Sequence, residues 1–93
     1  MNYEYIGWCK QENHDKVWGI IRLDGNKCVS FWGRRGAKLQ TKMISASVWD
    51  AGDMFRKKEN KGYVNIPKSR LDEVYPDFQT DLEKTAMWAM LKL

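Results

Sequence analysis

Residues 17–23 read VWGIIRL and run straight into Asp24-Gly25-Asn26. On a strand, side chains alternate between two faces, so Val17, Gly19, Ile21 and Leu23 share one side and Trp18, Ile20 and Arg22 the other. Gly and Asn tolerate the positive φ of a tight turn, so the chain reverses after Leu23. Residues 28–32 then form a returning strand, and Gly33-Arg34-Arg35-Gly36 a second turn. Beyond it, Leu39, Thr41 and Met43 alternate with Gln40, Lys42 and Ile44 in a fourth strand. Upstream, the aromatic-rich residues 3–9 supply a first strand, followed by a polar loop over 11–15. Short strands joined in this way constrain the chain to an antiparallel meander.

The pattern changes at Ser47. Ser47-Val48-Trp49-Asp50 fits a helix N-cap with an acidic residue three positions on, which also suits the helix dipole. Val48, Ala51 and Phe55, with Gly52 and Lys58, fall on one helical face. A basic last turn, Arg56-Lys57-Lys58, precedes Gly62, a natural residue just past a helix end. Residues 63–66 suggest a short edge strand, and Pro67 opens a helical turn. Pro76 separates that turn from a last helix over residues 77–92, with Phe78, Leu82, Ala86, Ala89 and Leu93 on one stripe. From Ala86 onward this helix is apolar nearly all round, so it packs deep into the domain or meets another chain. The expected fold class is α+β: a meander of about four strands packed on one helix, with a C-terminal helical extension.

With 93 residues the chain has room for one core, and five tryptophans can bury enough area to stabilise it. The longest apolar run, residues 86–91, is too short to cross a bilayer. The stretch MNYEYIGWCK lacks the basic and apolar regions of a secretion signal, so the expected location is cytoplasmic, with nucleoid association consistent with it. Cys9 and Cys28 are then read as reduced thiols in strands.

Nothing in the chain reads as an enzyme. His14, the one histidine, sits beside Asp15 in a polar stretch. Cys9, His14 and Cys28 lack the spacing of a zinc set. Gly25, Gly33 and Gly36 match neither phosphate-binding glycine pattern. No catalytic group, metal or cofactor is expected.

Charge is the informative property. Residues 33–62 carry eight basic against three acidic side chains, while residues 1–32 carry four of each. One sign gathered in one segment builds a potential that attracts polyanions. Trp32 beside Arg34, Arg35, Lys38 and Lys42 offers both a flat ring for stacking and cations for phosphates. Arg56, Lys57, Lys58 and Lys61 form a second cluster at the helix end, able to join the first if the helix packs across the same edge. The competing reading makes Trp32 a core residue and the cations an ordinary solvated face.

The segment Phe31-Trp32-Gly33-Arg34-Arg35-Gly36 resembles the signature of the WGR domain, found in DNA-dependent poly(ADP-ribose) polymerases and in small bacterial proteins. The resemblance continues through Gln40, the helix residues Ala51 and Phe55, and Lys-x-x-Lys-Gly-Tyr at residues 58–63. It covers residues 1–66, taken as a WGR-like domain, and leaves residues 67–93 as a helical extension packed on the same domain. It implies a sheet with a helix across it, binding DNA at ends or breaks without reading sequence. By motif match, Trp32 would contact a terminal sugar and Arg34 would lie at the same surface. Arg35 departs from the family, where that position is usually a β-branched apolar residue. The residues outside the match hold no polymerase catalytic domain.

The expected function is therefore a small, basic, non-enzymatic nucleic-acid-binding protein whose first expected partner is double-stranded DNA, held through sugar–phosphate contacts, with single-stranded DNA or RNA as a further reading that differs only in substrate. The expected contact residues are Trp32, Arg34, Arg35, Lys38, Lys42, Arg56, Lys57 and Lys61. The alternative is a protein–protein interaction module, adaptor or inhibitor, that grips a partner or a second copy through the apolar last helix. No membrane partner is expected.

Overall fold

The apolar alternation in the first half of the chain sets up two buried faces, and a computed structural model describing residues 3–91 shows both covered. Strands β1 (Tyr5–Gln11), β2 (His14–Asp24), β3 (Lys27–Arg34) and β4 (Gln40–Ser45) follow one another as antiparallel neighbours. Helix α1 (Val48–Asn60) leads into a two-residue strand, β5 (Val64–Asn65), which pairs with β1 and completes a five-stranded sheet in the order β4-β3-β2-β1-β5. The protein is thus α+β, with the four strands of the meander and, as β5, the short edge strand expected over residues 63–66.

On one face, Tyr5, Trp18, Ile20 and Cys28 meet Ala51, with Met54 and Phe55 of α1 packed around them. Phe55 stacks on Tyr5 at 4.3 Å between ring centroids and meets Trp18 edge-on. Ser47 closes a capping box with Asp50 at the start of α1. The amides of Gly62 and Tyr63 donate to the carbonyls of Glu59 and Lys58, the pair of hydrogen bonds of a Schellman ending, with Gly62 at φ +104. Val48, expected on the inner face, is 71% exposed, because α1 meets the sheet only from Ala51 onward.

The other face is closed by residues beyond Pro67. A 3-10 turn (Lys68–Arg70) runs into α2 (Leu71–Val74), followed by α3 (Phe78–Glu83) and α4 (Trp88–Leu91). Tyr75, Phe78, Leu82 and Leu91 are buried against Ile6, Val17, Ile21, Val29 and Phe31. Burying each large apolar side chain stabilises the fold by roughly 1.5–3 kcal/mol. A sheet packed on one helix therefore leaves the second sheet face out of account, since residues beyond Pro67 supply Tyr75, Phe78, Leu82 and Leu91 to the core on that side.

The single last helix expected over 77–92 is two short ones. Thr85 turns its hydroxyl back onto the Leu82 carbonyl at 2.7 Å, and its amide bonds the same carbonyl at 3.0 Å, so α3 ends there. The break brings Leu91 into the core with Met87 and Trp88 packed beside it, while Ala86 and Ala89 of the expected stripe are exposed. Leu93 and Lys92 lie outside the described residues. The polar loop expected over 11–15 is only a turn at residues 12–13, where Glu12 takes φ +51, so His14 and Asp15 are strand residues. No helix among the described residues is long and apolar enough to cross a membrane.

Candidate nucleic-acid interface

β3 carries Trp32 and Arg34 two residues apart, hence on the same face of the sheet, the one covered by α1. Gly33 between them takes φ +150, and a side chain there would meet the Lys38 carbonyl at 3.2 Å and the Leu39 side chain at 3.3 Å. That glycine lets the β3–β4 connection fold back and bury Leu39. Trp32 lies between Trp18 on β2 and Gln40 on β4, half-buried against the cluster around α1. It is both a packing residue and a partly open ring.

Arg34 stands directly opposite Lys16 of β2, and both are exposed. Like charges facing each other across an antiparallel pair cost stability. The last turn of α1 adds to the cluster from above. Its Lys58 ammonium lies 5.3 Å from the centre of the Trp18 ring and 5.6 Å from that of Tyr63. Burial first, then the charges of Lys61 and Lys16, hold that ammonium below the usual lysine value. Lys16, Arg34, Lys58 and Lys61 thus gather at one end of the sheet face. None of the four is ion-paired among the described residues. The opposite end differs, because there Arg22 is held by both oxygens of Glu4 at 2.8 and 2.9 Å.

The eight expected contact residues separate. Trp32 and Arg34 share the α1 side with Lys42, which faces the same way on β4, and Lys61 adjoins them at the helix end. Lys57 is exposed one residue before Lys58. Arg56 points away on the outer surface of α1, paired with Asp53. Lys38 sits in the β3–β4 connection and lines an open cleft with Gln40, Thr41, Lys84 and Thr85.

Arg35 is not a free cation beside the motif. Its guanidinium bonds both oxygens of Asp15 at 3.0 Å and the Val74 carbonyl at 2.5 Å, and lies 4.8 Å from the centre of the Trp8 ring. Hydrogen bonding from Arg35, reinforced by the Trp8 indole at 2.7 Å, holds the Asp15 carboxyl below its ordinary value against the opposing effect of burial. In place of a β-branched packing residue, this arginine makes its own contacts with Trp8, Asp15 and Val74. Its charge is paired with Asp15.

Lys16 and Lys58 belong to the cluster yet fall outside the eight. The signal for Lys16 was present, since it alternates with Trp18 and Ile20 on β2. Its meeting with Arg34 depends on a strand register that is not written locally. Among the described residues no group of three or more His, Cys, Asp or Glu is placed to hold a metal, and Cys9 and Cys28 are buried free thiols. Comparison with family models, curated proteins and solved structures finds no match to this chain.

Proposed function

We propose that this protein binds nucleic acid, with double-stranded DNA as the partner, through the sheet end that carries Trp32, Arg34, Lys16, Lys58 and Lys61. The observation that carries the reading is a set of cations held against their own repulsion, with no carboxylate paired to them among the described residues, on the sheet face that also carries the half-buried Trp32. A phosphate backbone supplies the missing counter-charge, and a sugar or unstacked base supplies a face for the ring. Affinity then comes from phosphate neutralisation with little base preference. The WGR-like motif supports the same assignment and adds a preference for DNA ends. The protein acts as a non-enzymatic, intracellular binding module in this reading.

The test is fluorescence anisotropy of a short labelled duplex beside single-stranded DNA and a closed hairpin. Trp32→Phe keeps the packing and Trp32→Ala removes the ring, whose stacking is worth roughly 1–3 kcal/mol. A folded Trp32→Ala variant that binds like the parent would sink the role of Trp32. A second reading, a protein-interaction module, is favoured by Trp49, which is 85% exposed beside Val48 on the first turn of α1. It moves from the apolar tail, whose Leu91, Met87 and Trp88 turn inward. Sedimentation of the parent and of Trp49→Glu with candidate partners separates the two.

A further inference from the structure

Two successive residues of the β3–β4 turn lie against two successive residues of the extension, the first of them through a hydrogen bond. The Arg35 guanidinium donates to the Val74 carbonyl at 2.5 Å, and the Gly36 backbone sits against the Tyr75 hydroxyl. Tyr75 is 1% exposed and donates that hydroxyl to Asp81 Oδ2 at 2.5 Å, itself buried in α3. Burial, then the bond to Asp81, push the Tyr75 phenol up, so the proton stays available to donate. From the sheet side, Arg35 is held through its amide by the Asp15 carbonyl at 2.9 Å and through its side chain by the Asp15 carboxylate. Trp8 locks Asp15 from β1. The turn is clamped from β1, β2 and residues 74–81 at once.

We infer that Arg35 is a positioning residue, and that with Asp15 and residues 74–81 it braces the turn so that Arg34 is presented, already ordered, on the binding face. This rests on the nucleic-acid reading above. Arg34 ends β3 opposite Lys16, while Arg35, the first residue of the turn, reaches Asp15 and Val74, so fixing Arg35 fixes the backbone from which Arg34 projects. An unbraced Arg34 would lose side-chain and turn freedom on binding, a cost the brace removes beforehand. The extension thus serves the interface without touching the ligand.

The sign of one mutation separates positioning from direct contact. Asp15→Asn makes this basic protein more basic by one charge, so a bare electrostatic surface would bind DNA more tightly. The brace predicts weaker binding instead, by about fivefold, the order of one immobilised side chain. Arg35→Gln should weaken binding similarly while leaving the slope of log K against log salt at the parent's value. A directly contacting arginine would lower that slope by about 0.9. Arg35→Lys, which keeps the charge and loses the fork, is the milder variant if the others fail to fold, and should weaken binding in the same direction.

The titrations use the full chain and a short labelled duplex across a salt series, with melts showing each variant folded. Tighter binding by Asp15→Asn, or a shallower slope for Arg35→Gln, overturns the inference. If the parent binds no duplex at all, the nucleic-acid reading is what fails. The brace is then read directly by amide hydrogen exchange. Faster exchange at residues 34–37 in Arg35→Lys, with β1 and β2 protected as in the parent, supports it, and unchanged exchange in that turn overturns it.

Discussion

The four cations at the sheet end, none ion-paired among the described residues, set a salt dependence that can be worked in advance. If Lys16, Arg34, Lys58 and Lys61 each neutralise one phosphate of a duplex, log K falls against log salt with a slope of about −0.9 × 4, or roughly −3.6. Raising salt from about 50 to about 200 mM multiplies it by four, which at that slope weakens binding by roughly 150-fold. Lys16→Ala should bring the slope to about −2.7, because it deletes one contact. It should also relieve the repulsion with Arg34 and leave stability unchanged or slightly raised. Arg56→Ala, on the outer surface of α1 and already paired with Asp53, should leave the slope where it was. Anisotropy titrations at four or five salt concentrations read all three slopes. A parent slope near −1, or equal losses for Lys16→Ala and Arg56→Ala, would refute the localisation of binding to this end of the sheet.

Other expectations follow from the packing. Leu82 is fully buried beneath the sheet, so Leu82→Ala should cost about 2–5 kcal/mol in urea unfolding, with DNA affinity of the folded fraction largely kept. A cost under about 0.5 kcal/mol would mean that the extension does not share the core. Because the folded-state value for Asp15 is depressed, its pair with Arg35 contributes stability that is fully present above the ordinary carboxylate range. That contribution is lost as pH falls through the depressed value, so Asp15→Asn should flatten the acid side of the stability profile; an unchanged profile would deny the pair its role. Gly33→Ala should destabilise by more than about 1 kcal/mol, from the backbone conformation and the approach of Lys38 and Leu39, seen as a lowered thermal midpoint.

The elements that reveal themselves in the sequence are those whose cause lies within a few residues. Alternation on β2, the turn at Gly25-Asn26, the capping box of Ser47 and Asp50, and the Schellman ending at Gly62 each need only near neighbours, and each occurs as the pattern implies. Val17, Trp18, Ile20 and Ile21 are all buried, and apolar residues on both sides of β2 fit a sheet covered on both faces. What covers the second face is another matter. The break at Thr85 has no Gly or Pro to announce it, and arises because Leu91 gains more by turning into the core than by continuing a helix.

The same division runs through the interface. That Trp32 and Arg34 share a face follows from period two, and the basic excess of the middle segment is a matter of counting. Which cations remain available is decided by pairing across the sheet. Arg35 and Asp15 are twenty residues apart, and only the register of β2 on β3 and the docking of Val74 bring them together. Register likewise sets Lys16 opposite Arg34, and the path of α1 brings Lys58 over Trp18. Neighbouring arginines thus end with opposite fates, one exposed beside a lysine and one bound to a carboxylate. Composition and local pattern determined that a basic, aromatic sheet would form. Tertiary contact decided which of its charges face outward, because a charge is spent only where another chain segment meets it.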